Sequence, residues 1–453
     1  MTKDILLVGS ARVKITPKIG ITLSGYYNVR VSEGILDDLY LNAVAFKQGE
    51  KKYCVISADL AGIQAELILR FKKTITEKTG LKEEEIFICA THTHTGPEFF
   101  AKDQIDEQLA SEYIKFLDEK FLEVTSLAME NLKPATVGYG TGDAKKVAFV
   151  RRFKMKDGST KTNPGVNNPD IIEPIGEVYE KVSVVRFDRE NASTVLLINF
   201  ANHPDVVGGN YISADWPGLA REYVEKVIEN THCVFINGAQ GDVNHVNVHP
   251  VGGDLNGLHE DFDGCMRGYD HAKHIARVVA GSVMSIYDKV NYVDDTELKT
   301  SLTYLKIPAN KATEEELILA RKYHELHSKG LDDEIPYTKM QLTTVVAEAE
   351  RMVALENAPD YFNLPFTAFS IGKIAFFGVP GEPFTGIGNG IRKAEGYDMV
   401  VVCCIVNGYE GYFPMKDSYD EGGYEARSSE FKSGSAEMII DNGLSILKSL
   451  KGC

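Results

Sequence analysis

The chain has 453 residues, of which 43% are hydrophobic, and this is enough to bury a large globular core. Its net charge of −16 repels phosphate backbones and anionic lipid headgroups, which argues against nucleic acid or a membrane surface as a partner. The seven cysteines are scattered and no C-x-x-C occurs, so neither a disulfide framework nor a thiolate zinc site is predicted.

The N-terminal segment contains one short apolar run, at residues 5–8, and no signal-peptide cleavage pattern follows it. No apolar run approaches the length of about 18 residues that would predict a transmembrane helix. We therefore expect a cytoplasmic protein, although a secreted chain whose signal peptide had been removed would show the same pattern.

Strand-like runs alternate with helix-like stretches along the chain, a pattern typical of an α/β fold with mixed β-sheets flanked by helices. No change in composition indicates a domain boundary, so residues 1–453 are predicted to form a single domain. The strand-like runs are 43–46, 53–57, 86–90, 181–187, 194–200, 233–236, 302–307, 367–371, 375–379 and 399–406. The helix-like stretches are 65–79, 110–131, 218–230 and 271–290.

Residues 313–356 differ from the rest of the chain because they are highly charged and rich in Ala, Glu, Leu and Lys. Gly330 and Pro336 interrupt this segment near its middle. The pattern predicts a helical hairpin packed on the main body, and it favours a plain surface pair of helices over a lid or a dimer contact.

Two histidines stand one residue apart, directly after the strand-like run 86–90. On extended backbone, residues i and i+2 point to the same face. His92 and His94 are therefore predicted to direct their imidazoles into one cleft at the end of the strand. Such a pair is useful to a metal site and is seldom needed in a packed core.

Two further candidate metal ligands also follow strand-like runs. His203 comes after the run 194–200, and Glu382 lies between a glycine and a proline soon after an apolar stretch. Taken singly, each has an ordinary explanation as a turn residue or a solvated residue. Together with His92 they match the set of histidines and carboxylates that holds catalytic zinc.

The remaining histidines are weaker candidates. His271 and His274 share one face of an amphipathic helix and are interpreted as structural. The loop 241–268 holds several histidines and aspartates, including Asp254, but matches no EF-hand spacing. The sequence leaves open whether this loop binds a second cation.

Six motifs, in order along nearly the whole chain, resemble the catalytic N-terminal domain of neutral/alkaline (non-lysosomal) ceramidases and their bacterial relatives. An ordered set of this kind is specific, whereas a single His-x-His is not. The motifs are Thr-His-Thr-His-Thr-Gly-Pro at 91–97, Arg-Arg-Phe-Lys-Met-Lys-Asp-Gly at 151–158, Asn-His-Pro at 202–204, Gly-Ala-Gln-Gly-Asp-Val at 238–243, Pro-Gly-Glu-Pro-Phe-Thr at 380–385 and Asn-Gly-Tyr-Glu-Gly-Tyr-Phe-Pro at 407–414.

The resemblance implies one Zn²⁺ per chain, held by residues at matching motif positions. These are His92 in the first motif, His203 in Asn-His-Pro, Glu382 in Pro-Gly-Glu and Tyr412 in the Asn-x-Tyr-x-x-Tyr segment. Zinc lowers the pKa of bound water and makes hydroxide available near neutral pH. The fold that the resemblance implies is that of the ceramidase catalytic domain.

The resemblance also implies residues that hold the substrate carbonyl and stabilise negative charge. They map to His94 and Arg151, with Arg152 as the alternative to Arg151. A second family tyrosine lies twelve positions beyond the ligand tyrosine, and here that position is Tyr424. His94, Arg151 and Tyr424 are therefore expected to stabilise an oxyanion or to protonate a leaving nitrogen.

The chain departs from the family pattern in three respects. Asn244 occupies the position of the family's catalytic serine, and its amide could hold a water or a substrate oxygen but cannot act as an oxygen nucleophile. The family's C-terminal β-sandwich domain is expected to be missing, because the sequence ends at Cys453. Many family members are secreted or face a membrane, whereas no signal peptide is seen here. These differences weigh against ceramide as the substrate.

The sequence thus predicts a zinc-dependent hydrolase that cleaves an amide bond of a small-molecule or lipid-like N-acyl substrate by metal-activated water. An ester substrate and a barrel-type amidohydrolase remain alternatives. A non-catalytic relative that keeps the metal and binds a ligand is a third, which the serine-to-asparagine change favours. A metallo-β-lactamase-like site, which needs His-x-His-x-Asp-His, is excluded, because Thr95-Gly96 follows His94 instead.

Overall fold

The computed structural model describes residues 4–99, 104–252, 259–261 and 263–452. Its strands form two large sheets and several short pairings. The strands of the two large sheets are β1 (Leu7–Lys14), β2 (Tyr40–Gln48), β3 (Lys51–Ala58), β4 (Ile86–Ala90), β5 (Lys133–Asp143), β6 (Lys181–Arg189), β7 (Thr194–Phe200), β8 (Thr231–Asn237), β9 (Leu298–Pro308), β10 (Tyr361–Ile371), β11 (Ile374–Gly378) and β12 (Met399–Cys403).

The helices are α1 (Ala65–Thr79), α2 (Gln104–Glu130), α3 (Asp215–Val227), α4 (Tyr269–Ile286), α5 (Glu314–Ser328), α6 (Lys339–Ala354), α7 (Thr385–Ile391), α8 (Asp417–Glu421), α9 (Tyr424–Ser428) and α10 (Ser435–Lys451). The short strands are Thr22–Leu23, Arg30–Val31, Gly34–Ile35, Phe149–Val150, Arg152–Met155, Thr160–Thr162, Ile171–Pro174, Tyr211–Ile212, Val243–Asn244, His259–Glu260, Met266–Arg267, Asn291–Tyr292, Glu382–Pro383 and Tyr412–Phe413.

The larger sheet is mixed. Its strand order is β8-β7-β6-β5-β1-β2-β3-β4, and the short strand Asn291–Tyr292 pairs with β5. The pairs β3/β4 and β7/β8 are parallel, while the other neighbours in the order are antiparallel. A barrel-type amidohydrolase needs eight parallel strands, so this sheet rules out that alternative.

The second sheet has the order β9-β10-β11-β12, with β11 and β12 parallel and the other pairs antiparallel. It packs against one face of the larger sheet. Val44 and Phe46 of β2 share a buried cluster with Phe369 and Phe376 of the second sheet. The contact between the sheets is therefore apolar and contributes to the core.

Helices cover the two outer faces, which gives four layers. Ala43 and Ala45 of β2 point away from the second sheet, into a cluster that includes Phe71 of α1 and Phe121 of α2. Helices α3 and α4 pack on the same side over β6 to β8, while α7 and α10 cover the outer face of the second sheet. The alternation of neighbouring β2 side chains between two clusters is what a strand buried on both faces requires.

These observations confirm the predicted fold class. The predicted helix 65–79 and the strands 86–90 and 194–200 have the predicted bounds. The predicted helical hairpin is formed by α5 and α6, which are separated at Gly330 and Pro336. The described cysteines are free and buried, in line with the sequence. Among the described residues, no helix has both the length and the apolar character to cross a bilayer.

Candidate metal centre

The loops that follow β4 and β7 meet next to the end of β8. Asn237, the last residue of β8, donates hydrogen bonds from Nδ2 to the carbonyl oxygens of Thr91, at 3.2 Å, and Asn202, at 3.1 Å. One fully buried amide thus joins the chain segments that carry His92 and His203. These two histidines are brought together although 111 positions separate them in the sequence.

The backbone at His92 is not extended, so the predicted geometric reason for its pairing with His94 is wrong. Strand β4 ends at Ala90, and His92 adopts a left-handed φ of 75°. This conformation is costly for a residue with a Cβ, by about 1–3 kcal/mol, and is held by a hydrogen bond from His92 N to the Leu60 carbonyl oxygen. The two imidazoles nevertheless meet, with their ring centroids 4.7 Å apart.

Two imidazoles and one carboxylate converge on a single point, and a third imidazole, that of His94, lies against His92. The Nε2 atom of His92 lies 3.2 Å from Nε2 of His94 and 3.2 Å from Nε2 of His203. Oε2 of Glu382 lies 3.3 Å from Nε2 of His92 and 3.3 Å from Nε2 of His203. Ligands about 2.0–2.1 Å from a tetrahedral zinc would be separated by about 3.3 Å. The spacing therefore suits one small cation.

The second ring nitrogens show which histidines have lone pairs that face the centre. Nδ1 of His92 lies 2.5 Å from the Ala61 carbonyl oxygen, and Nδ1 of His203 lies 3.3 Å from that of Gln240. A carbonyl only accepts, so both Nδ1 atoms donate to it, and when the rings are neutral both Nε2 atoms present lone pairs to the centre. Facing lone pairs repel each other unless a cation lies between them. The donor set thus fits a metal ion.

His94 differs from the other two histidines. Its Nδ1 atom is buried and has no hydrogen-bond partner among the described residues, and its side chain is more exposed, at 8% against 1% for His92. Burial lowers the pKa of His94 well below the usual range, so its ring is neutral. A histidine that ligates a metal nearly always donates the N–H of its other ring nitrogen to a hydrogen-bond acceptor. His92 and His203 do so and His94 does not, so His94 is not counted with them as a ligand.

Glu382 is held in place by three groups. Tyr409 donates its hydroxyl to Oε1 at 3.0 Å, Gln240 donates Nε2 to Oε2 at 3.2 Å, and the backbone of Glu382 pairs with that of Tyr412. Burial alone would raise the pKa of Glu382, but His92 and Arg151 outweigh it and lower the pKa. The carboxylate is therefore an anion inside the protein.

A close backbone approach explains the glycine that precedes Glu382. A Cβ at Gly381 would lie 2.5 Å from the carbonyl oxygen of Gly411, on the segment that leads to Tyr412. Only glycine lets these two segments come close enough for Glu382 N to donate to that same carbonyl at 2.8 Å. The pairing in turn places the Glu382 and Tyr412 side chains in register.

The Tyr412 ring stacks on His203, with centroids 6.5 Å apart, and the Arg151 guanidinium lies 5.2 Å from the ring centre. Burial and then Glu382 raise the pKa of the Tyr412 phenol well above its usual range, whereas Arg151 acts in the opposite direction. Because its pKa is raised, the Tyr412 phenol would lose its proton only on binding a cation. It would be the weakest ligand of the predicted set.

Replacing Tyr412 with phenylalanine should therefore leave most of the bound zinc in place, whereas His92→Ala should lose it. Phenylalanine keeps the ring that packs on His203, while alanine removes a nitrogen from the centre of the cluster. Zinc content per chain, measured by elemental analysis after gel filtration, checks this. Equal losses in the two variants would contradict the ranking of the ligands.

Arg151 is fixed behind Tyr412. Its Nε lies 2.6 Å from Oε1 of Glu425, and its Nη2 donates to the Gly241 carbonyl oxygen at 2.5 Å. The alternative, Arg152, is directed elsewhere and donates to the side chains of Ser418 and Glu421. Of the two arginines, Arg151 is therefore the one that lies against a predicted metal ligand, the Tyr412 ring.

Tyr424 begins helix α9, and its ring lies edge-on against Tyr412, with centroids 5.6 Å apart. Burial raises the pKa of the Tyr424 phenol, which therefore keeps its proton at neutral pH. Tyr27 shares a hydrogen bond with the Tyr424 hydroxyl. Tyr424 is the member of the predicted set that also lines a cavity open to solvent.

Asn244 occupies the predicted position but uses its amide within the protein. Its side chain is fully buried, Nδ2 donates to Oδ1 of Asn163 at 3.1 Å, and Oδ1 accepts from the backbone N of Val246 at 3.0 Å. Asn163 lines the same cavity as Tyr424. Asn244 is thus placed behind a cavity residue.

Several contributors to the centre were missed by the sequence reasoning. Gln240 and Tyr409 both lie within the quoted motifs, so motif membership was an available signal for them. Tyr26 lies outside these motifs, and no sequence pattern indicates a role for it. Its ring lies between the guanidinium groups of Arg30, at 4.2 Å, and Arg267, at 4.8 Å, and meets the His94 ring edge-on.

The second cation suggested for the loop 241–268 finds no support among the described residues. His245 directs Nδ1 to Oδ1 of Asp205 at 2.9 Å and Nε2 to the Met266 carbonyl oxygen at 2.7 Å, so both nitrogens are engaged. Asp254 lies outside the described residues. The cluster of His92, His94 and His203 is the group that can hold a metal ion in the part of the chain that the structure describes.

Fold and site together define an α/β protein of the neutral ceramidase-like fold with a buried histidine cluster that can hold a metal ion. The crystal structure of neutral ceramidase from Pseudomonas aeruginosa superposes with a TM-score of 0.71 and 17% sequence identity, over 99% of this chain and 75% of that one. A structure of ceramidase complexed with C2 superposes with a TM-score of 0.72 and 17% identity, over 99% of this chain and 76% of that one. A comparison with models of known protein families finds no match. The resemblance inferred from the sequence motifs is thus confirmed at the level of the fold.

Proposed function

We propose that the protein is a zinc-dependent hydrolase that cleaves the amide bond of an N-acyl substrate. The observation that carries the proposal is the convergence of His92, His203 and Glu382, whose ligand atoms are 3.2–3.3 Å apart with the nitrogen lone pairs facing inward. A structural role would not need a buried carboxylate and two imidazole Nε2 atoms at one point. Likeness in fold to ceramidases supports the same reaction class.

Zinc is the proposed metal because the donors are imidazole nitrogen and carboxylate oxygen, with a phenol as a weak fourth ligand. His92, His203, Glu382 and Tyr412 would hold the ion. When bound, it supplies a Lewis acid that polarises a carbonyl and lowers the pKa of water towards neutrality. The carbonyl oxygens of Ala61 and Gln240 would keep the two imidazoles in the ligating tautomer.

The remaining polar residues then have distinct tasks. His94 has an unpartnered Nδ1 and is proposed to hold the substrate carbonyl. Arg151, fixed by Glu425 and the Gly241 carbonyl, keeps a positive charge beside Tyr412, where negative charge develops. Tyr424 keeps its proton and is proposed to give it to the leaving nitrogen. Water oxygen bonds to the acyl carbon, the C–N bond breaks, one water proton restores the Tyr424 hydroxyl, and a carboxylic acid and an amine are released.

A metal and activity assay tests the proposal. We expect about one zinc per chain after purification, and hydrolysis within a panel of N-acyl and ester compounds that a chelator stops and added zinc restores. Hydrolysis of esters alone would identify an esterase. Bound zinc without hydrolysis across the panel would overturn the proposal and favour a ligand-binding protein.

A further inference from the structure

One cavity adjoins the candidate metal centre, and its chemistry bears on the substrate. It has a volume of about 650 Å³ and lies between the segment that runs from Asp157 to Asn168, the turn after Asp263, and the start of helix α6. Tyr424 is part of its wall, and the Tyr424 ring lies against Tyr412 at the metal site. The cavity is therefore on the side from which Tyr424 would protonate a leaving nitrogen.

The cavity wall is rich in hydroxyl and amide groups, and its size is within the range of small-molecule sites. Burying an alkyl chain of a lipid here would remove water from these groups without providing them with hydrogen bonds, which costs free energy. A ligand with several hydroxyl or amide groups would satisfy them instead. Lining side chains of this kind include Thr160, Asn163 and Gln341, whereas Asn168 and Thr344 already donate to the backbone, at the Pro164 and Met340 carbonyl oxygens.

The charges in the wall are already paired. Lys161 lies 3.6 Å from Asp157, Lys339 pairs with Glu260, and Arg427 pairs with Glu348. Every cation among the described lining residues thus has a carboxylate partner. These pairs are partly exposed, so each contributes little free energy. The described lining residues nevertheless include as many carboxylates (Asp157, Glu260 and Asp263) as cations, so the cavity has no net attraction for an anion and suits a neutral polar ligand.

Asn163 is positioned to bind such a ligand. It has a left-handed φ of 45°, and its backbone N donates to the Arg151 carbonyl oxygen at 2.8 Å. Its Oδ1 accepts from Nδ2 of the fully buried Asn244 at 3.1 Å, which fixes the orientation of the amide. The Nδ2 group of Asn163 then remains as a donor at the cavity wall.

We infer that this cavity binds the amine part of the substrate, and that this part is a neutral, polyhydroxylated group of the amino-sugar class. Asn163 is the specificity-determining donor, and Asn244 is its positioning residue. The inference rests on the proposed amide hydrolysis. It assigns to the asparagine that replaces the family serine a role in holding a binding residue.

Three acetamides that differ only in the amine part test the inference: N-acetylglucosamine, N-acetylmuramic acid and N-acetylhexylamine. They carry a neutral sugar, a sugar with a carboxylate, and an alkyl chain. We expect kcat/KM of the zinc-loaded protein for N-acetylglucosamine to exceed the other two values by at least about tenfold, because a hydrogen-bonding site discriminates strongly against analogues that cannot pair with it. The products are acetate and the free amine.

A matched pair of variants separates binding from folding. Asn163→Gly removes the amide at a left-handed position without backbone strain, and Asn167→Gly makes the same change at the exposed Asn167, where φ is 54° and which does not line the cavity. We expect Asn163→Gly to raise KM for N-acetylglucosamine about tenfold with little change in kcat, and Asn167→Gly to leave both near wild type. Equal KM values in the two variants would overturn the role of Asn163.

The outcomes distinguish this inference from the proposed function. Chelator-sensitive hydrolysis that favours N-acetylhexylamine, N-acetylmuramic acid or a long-chain ceramide overturns the inference and leaves the hydrolase intact. If no N-acyl compound is hydrolysed, the proposed function fails, and calorimetric titration with N-acetylglucosamine decides the inference. If N-acetylglucosamine binds at millimolar concentration and Asn163→Gly weakens this binding, the cavity assignment is supported. If N-acetylglucosamine does not bind, the assignment is overturned.

Discussion

Replacing His203 with alanine should weaken zinc binding by more than about 100-fold and abolish chelator-sensitive hydrolysis. Loss of a residue that only orients a ligand already costs about 10- to 100-fold in metal affinity, and the loss of a ligand should cost more. His203 provides one of the Nε2 atoms at the centre and lies 3.3 Å from the Glu382 carboxylate. Without the metal, that carboxylate would be buried next to the single imidazole of His92.

His94→Ala is the matched control, because it makes the same change in the same cluster. His94 has no partner for Nδ1 and is proposed to face the substrate, so this variant should keep its zinc while losing turnover. Zinc affinity measured by competition with a fluorescent chelator separates the two variants. Equal zinc loss in His94→Ala and His203→Ala would make His94 a third imidazole ligand and would remove its proposed role at the carbonyl.

Tyr424→Phe should lower kcat by about 100- to 1000-fold, the usual cost of removing one donor to a developing charge. The ring is retained, so its contact with Tyr412 and the packing of helix α9 should remain. The pKa of the Tyr424 phenol is raised by burial, so the group that is lost is a protonated donor. Stopped assays at saturating substrate measure the loss in kcat.

Tyr397→Phe provides the comparison for folding. The Tyr397 hydroxyl donates to the Leu447 carbonyl oxygen at 2.9 Å, in contact with helix α10 and away from the metal centre. Its removal should cost about 1 kcal/mol of stability and leave kcat near wild type. A Tyr424→Phe variant with unchanged kcat, or one that loses activity only in proportion to its melting temperature, would contradict the catalytic assignment.

The sequence predicted most of the architecture because buried strands and amphipathic helices leave periodic apolar patterns. The helix 65–79 and the strand 86–90 are examples in which pattern and structure coincide. Strand β5 escaped prediction because it reads Lys-Pro-Ala-Thr-Val-Gly-Tyr-Gly-Thr-Gly-Asp, with three glycines and little apolar alternation. Its strand conformation depends on pairing with β6 and β1, which is a tertiary effect.

The sequence motifs point to side chains that the structure brings together, but they do not show the contacts that connect them. Motif order identified His92, His203 and Glu382, yet no pattern could show that Asn237 joins the two histidine loops, or that carbonyl oxygens fix the imidazole tautomers. These contacts depend on how β4, β7 and β8 end next to one another. Likewise, the sequence predicts the hairpin of α5 and α6 as a plain surface pair of helices, and no pattern shows that the start of α6 lines the cavity beside Tyr424.

We propose that one zinc ion is held by side chains from distant parts of the chain. Anomalous diffraction at the zinc edge, on crystals of protein purified with zinc, tests this most directly. We predict one strong peak per chain, about 2.0–2.2 Å from Nε2 of His92, Nε2 of His203 and a carboxylate oxygen of Glu382. A zinc peak elsewhere on the molecule, or none between these three side chains, would contradict the account.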